Sequence, residues 1–163
     1  MAWTIQVEGM DELVQGMDKL PEKAEQVAAL ALFEGAGVMA DAVSQAVQGI
    51  ATEPFKYAGR GKTRKPSPEE KAIVANAKHG VAKFRKDGVS VNTSVGYQNA
   101  GYASLNGKSK PVPLIANAIN SGTSFMQKQP FMRKAFSSKK GAAQAAIEAG
   151  IQSREDMLQP DNP

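Results

Sequence analysis

Residues 119–136 read INSGTSFMQKQPFMRKAF. Gly122-Thr123 closes one apolar segment, a polar loop follows, and Pro130 opens a Phe-Met-Arg-Lys-Ala-Phe run. Proline suits the first residue of a helix, where its missing N–H costs nothing and its fixed φ is already helical. The i, i+4 spacing then predicts a shared buried side for Phe131 and Ala135, joined by Met132 and Phe136. Arg133 and Lys134 point elsewhere. Two cations near a helix N-terminus oppose the macrodipole, so either a partner or a solvated surface accounts for them.

Working outward, Glu22 to Ile50 is the longest periodic run. Ala24, Val27, Ala28, Ala31, Gly35, Val38, Met39, Ala42, Val43, Ala46, Val47 and Ile50 keep three/four spacing. That is one amphipathic helix of roughly 43 Å. Its stripe of Ala, Gly and Val allows a close neighbour. Gly35 and Gly37 each weaken the helix by about 1 kcal/mol relative to Ala, which implies close backbone packing or a bend. Leu30, Leu32 and Phe33 lie partly off the stripe and are expected to face a second layer or another subunit.

Before this helix, Trp3, Ile5 and Val7 alternate with polar residues as a strand, and Met10, Leu13, Met17 and Leu20 suggest a short helix. After it, Ser67-Pro68-Glu69-Glu70 is a helix start: a capping serine, an early proline and two acids beside the positive dipole end. That helix is expected to reach about Lys78. Val81–Arg85 and Val89–Tyr97, joined through Lys86-Asp87-Gly88, read as a hairpin. Residues 98–110 are polar and read as a loop. Val112–Ile119 reads as a short helix behind Pro111 and Pro113. A last helix is expected from Gly141 to about Leu158, with residues 159–163 as a tail. The fold class is α+β: a long N-terminal helix packed with further helices on a small, mostly antiparallel β-sheet. Residues 1–158 read as a single domain.

The net charge of +4 conceals a segregation. Residues 1–50 carry two Lys/Arg against eight acids, a balance of −6. Residues 51–140 carry 17 against four, +13, and residues 141–163 one against four, −3. A chain so divided can attract copies of itself head to tail, or set a basic surface beside nucleic acid. The basic loop at 51–67 concentrates the contrast. Lys56, Arg60, Lys62, Arg64 and Lys65 surround Phe55 and Tyr57 there. It is expected to be exposed, and either to contact DNA or to be a solvated insertion or a loop docking an acidic neighbour.

Catalytic signals are sparse. The chain has no cysteine and one histidine, His79, so neither a thiolate nor a triad is in view. Gly61-Lys62-Thr63 mimics the end of a phosphate loop, but Lys56 stands where that motif needs its first glycine. No cofactor and no metal site are expected, and the chain reads as non-enzymatic. No leader peptide and no bilayer-spanning run are expected either.

Ser94-Val95-Gly96-Tyr97, Gly122-Thr123-Ser124 and Pro130-Phe131-Met132-Arg133 together resemble the small neck proteins of long-tailed phages. These are the head–tail joining, or tail-completion, proteins. The order of elements along most of the chain is similar as well. Two departures stand out: Thr63-Arg64-Lys65-Pro66 replaces a Thr-Gly-x-Leu-like turn, and Asn120-Ser121 precede Gly122 where an aromatic is usual. The resemblance implies a structural virion protein that joins head to tail, forming a hexameric or dodecameric ring around the DNA channel. Its partners would be itself and head-closure, tail-terminator and tail-tube subunits, with genomic DNA in the lumen and no membrane. It would act in the virion neck after assembly in the host cytoplasm. Gly122, Thr123, Pro130, Phe131, Met132 and Arg133 would form the subunit or partner interface. The alternative is a basic nucleic-acid-binding protein without enzymatic activity.

Overall fold

The long helix forms where the stripe predicts it. In the computed structural model, which describes residues 22–77, 80–81, 85–86, 91–97 and 100–158, α1 runs Glu22–Gln48. The expected strand at 3–8, the helix at 10–20, Lys78, His79 and the tail at 159–163 lie outside the described residues. The other helices are α2 (Pro68–Asn76), α3 (Val112–Ser121), α4 (Phe131–Gln152) and α5 (Glu155–Leu158). The strands are short: β1 (Gly80–Val81) pairs with β4 (Val95–Gly96), β2 (Arg85–Lys86) with β3 (Val91–Asn92), and β5 (Tyr102–Leu105) with β6 (Lys108–Pro111). The chain is therefore α+β, with small antiparallel strand pairs and a long N-terminal helix packed against other helices.

The chain divides into two compact units. The first holds residues 40–80 and 96–138. Its core joins Val43 and Val47 of α1, Val74 of α2, Leu105 of β5, Ile115 and Ile119 of α3, and Phe131 and Ala135 of α4. The ends of its elements are tied by side chains. Lys71 Nζ donates to the carbonyls of Gln48 and Ile50, closing the C-terminus of α1 at 2.7 and 3.1 Å. Ser67 and Glu70 form a reciprocal capping box on α2, as the Ser-Pro-Glu-Glu spacing predicts. Pro111 and Pro113 start α3, again as expected.

Residues 102–111 correct the reading of 98–110 as a loop. Tyr102 faces Pro111 and Leu105 faces Lys108 across a two-residue turn. Asn106 and Gly107 there hold φ of 52° and 72°, the geometry of a tight hairpin turn that an Asn-Gly pair favours. The expected 81–97 hairpin is present in its pairing, Arg85 with Asn92 and Lys86 with Val91. Lys86, expected in the turn, is thereby part of the strand, and residues 87–90 between the strands lie outside the described residues. Thr93, Val95 and Tyr97 are buried, whereas Ser94 and Gly96 are partly exposed, the alternation of a half-buried strand.

The second unit holds, among its described parts, residues 22–39 of α1 and 139–158. Ala31 and Leu32 pack there with Ile147. A Cβ added to Gly35 would stand 2.5 Å from Ile147 Cγ1 and 3.1 Å from the Ala143 carbonyl oxygen. One added to Gly150 would stand 3.0 Å from Ala31 Cα. The small-residue stripe thus brings α1 and α4 together backbone to backbone, one of the two outcomes expected at Gly35. Gly37 has nothing within 4 Å. We therefore expect opposite signs at the two glycines in urea denaturation. Gly35→Val should lose about 2 kcal/mol by overpacking, whereas Gly37→Ala should gain about 0.5–1 kcal/mol in helix propensity.

One further expectation is corrected. The helix expected from Gly141 is continuous with the one that Pro130 opens. Gly141, with no atom near its Cβ position, passes through it without a break. By length and composition, Ala24–Gln48 is apolar enough to cross a membrane, although half of that stretch is buried within the structure, as in the core helix of a folded domain.

A candidate interaction surface

The basic loop at 51–67 does not stand alone. It is zipped to the loop that follows Gly122. Arg64 N–H donates to the Phe125 carbonyl and Gln127 N–H to the Arg64 carbonyl, both at 2.8 Å. One turn away, the Gln129 side chain accepts from Ala51 N–H at 3.0 Å and donates to the Ala51 carbonyl at 2.7 Å. Inside the first loop, Glu53 accepts from Lys65 N–H at 2.8 Å. That backbone hydrogen bond is the main cause holding the Glu53 carboxyl below its ordinary value.

Arg64 is the pivot. Its guanidinium meets Glu70 with two hydrogen bonds, of 2.7 and 2.6 Å, and its side chain is only 11% exposed. Its Cζ also lies 4.8 Å from the ring centre of Phe55, a cation–π contact. Burial pushes the Glu70 carboxyl up, but the Arg64 hydrogen bonds and charge and the Ser67 N–H outweigh it and hold the group below its ordinary value. Arg64 therefore belongs to the framework of the loop. Lys56, Arg60, Lys62 and Lys65 remain exposed.

The second loop is built on its glycine and threonine. Gly122 ends α3 at φ 76°, its N–H bonded to the Ala118 carbonyl. A Cβ there would lie 3.0–3.1 Å from Lys128, so only glycine fits without movement. Thr123 Oγ1 accepts from the N–H groups of Phe125 and Met126. The turn carries Phe125 outward and Met126 into the core. The buried amide of Asn120 then accepts from Met132 N–H at 3.2 Å, satisfying one orphan donor of the first turn of α4.

The six residues expected at an interface therefore separate. Phe131 and Met132 are taken up by the core, and Gly122 and Pro130 are half-buried where they shape the chain. Thr123 and Arg133 reach the surface. Ala135 is buried and Phe136 half-buried, with Arg133 and Lys134 exposed, as the helical spacing predicts. Sequence reading passed over Phe125, which is 66% exposed, and Lys128 beside it. Phe55 and Tyr57 meet edge to face at 5.4 Å, and Tyr57 is 91% exposed. The two joined loops thus form one platform of exposed aromatic rings and cations, pinned from beneath by Arg64 and Glu70.

Such a surface can bind an acidic or mixed apolar partner. Among the described residues, no three His, Asp or Glu side chains gather as a metal site. Comparison with known protein families, curated proteins and solved structures finds no match to this chain.

Proposed function

We propose that this chain is a structural virion protein of the phage neck, joining head to tail as a hexameric or dodecameric ring around the DNA channel. The observation that carries the reading is the pairing of opposite surfaces on one chain. The platform loops carry Lys56, Arg60, Lys62, Arg64, Lys65 and Lys128 against Glu53 alone. Helix α1 carries the exposed acids Glu25, Glu34 and Asp41, with Leu30 and Phe33 exposed upon it. Unlike patches on one subunit are what a closed ring of identical copies requires. The resemblance of Gly122-Thr123-Ser124 and Pro130-Phe131-Met132-Arg133 to the neck proteins supplies the location. Head-closure, tail-terminator and tail-tube subunits are the partners proposed on the same ground, and the role is non-enzymatic. Negative-stain electron microscopy of the purified protein checks it: ring-shaped class averages with a central opening are expected, and particles without rotational symmetry would contradict it.

A second reading has an observation of its own. Residues 96–138 carry five Lys/Arg and no acid, and Tyr102 is exposed among them. A basic, aromatic surface suits nucleic acid. In that case, binding to a labelled DNA duplex should weaken steeply as salt rises.

A further inference from the structure

We infer that the aromatic platform of the first unit docks on the exposed α1 face of the second unit of another copy. The inference rests on the ring reading above and names its contact. On α1, Gln26, Leu30, Phe33 and Gly37 follow one another at four- and three-residue steps and so share a face. Leu30 is 45% and Phe33 54% exposed. Gly37 has open space where a Cβ would stand. Glu25 and Glu34, next to Gln26 and Phe33 in the helix, keep exposed side chains, Glu34 while bonded to Arg154. The platform offers the complement: the Tyr57 and Phe125 rings to cover Leu30 and Phe33, and Lys56, Arg60, Lys62 and Lys128 to meet the acids. Like patches repel, so opposite patches are favoured. A nucleic acid would satisfy the platform's cations, but it would leave Leu30 and Phe33 bare. A second copy covers both surfaces in one contact.

The chain's lack of cysteine makes disulfide trapping a clean test. Phe33→Cys and Tyr57→Cys are prepared separately, mixed and oxidised. A covalent dimer is expected in the mixture and not in either variant alone. Lys62→Glu added to the Tyr57→Cys chain should slow trapping about tenfold, by removing charge attraction. Both positions are exposed, so unchanged thermal melts of the reduced variants establish that each is folded. Trapping of Phe33→Cys with itself, or no trapping in the mixture, overturns the inference. The double variant F33C/Y57C separates this from the ring reading. A ladder of covalent multimers supports both. A product that stops at dimer supports the docking but contradicts the ring. Rings seen by microscopy without trapping contradict the docking alone. A labelled 30-base-pair duplex that binds the wild type but not Lys62→Glu, with no trapping, would assign the platform to nucleic acid and overturn the inference.

Discussion

Phe131→Ala is expected to lower the unfolding free energy by about 4 kcal/mol, the usual cost of deleting a buried aromatic side chain. Phe131 is 3% exposed and meets Tyr97 edge to face, ring centres 6.3 Å apart. It is also the first residue of α4, with its N–H turned back to the Gln129 carbonyl at 2.8 Å. Losing the ring therefore opens a cavity between Tyr97 and the start of α4. Phe131→Leu keeps most of the volume and should cost about 1.5 kcal/mol or less. Urea denaturation followed by circular dichroism reads both values. A loss below about 1 kcal/mol for the alanine variant would place Phe131 outside the core.

Glu70→Ala is expected to cost about 3 kcal/mol, because it leaves the Arg64 guanidinium buried without its counter-charge and removes half of the capping box on α2. Glu70→Gln preserves the box and should cost less. The pair also sets a pH dependence. The folded-state carboxyl titrates below its ordinary value of 4.5. Its stabilising contribution is therefore complete above that value and is lost as pH falls through the folded one. The stability difference between wild type and Glu70→Gln should be constant from pH 7 to about pH 5 and shrink towards pH 3. A difference that stays constant down to pH 3 would mean that Glu70 is not held ionised by Arg64. Because Arg64 bonds the Phe125 loop through its backbone, both variants should also loosen the platform, raising amide exchange at Gln127.

What was legible in the chain follows from where the physics is local. The α1 stripe, the Ser67 capping box, the Gly122 stop and the Pro130 start depend on residues within four positions of one another, and each stands where its pattern predicts. The β5–β6 hairpin was missed because only Leu105 of its residues is buried, so no alternation marks it. The Asn106-Gly107 turn was the signal to follow. Residues 137–140 continue the helix from Phe131 into the stretch expected from Gly141 as fully exposed helix without apolar spacing. A surface-exposed stretch of helix needs no such spacing. At the platform, the cations and Phe55 and Tyr57 were visible in the sequence. The Arg64–Glu70 pair joins a loop to a helix, and Asn120 reaches α4 from α3. Both are tertiary choices that no local pattern records. Phe125 and Met126 are adjacent and alike in chemistry. The Thr123 hydroxyl sets the turn that sends one outward and the other in.

In the proposed ring, unlike surfaces of one chain bind each other. The most direct test is the mass of the purified protein in solution, by light scattering after gel filtration, over a concentration series at low and high salt. One discrete multiple of 17.3 kDa, stable over a range of concentrations and weakened by salt, is the predicted result. A mass of one chain at every concentration and salt would contradict it.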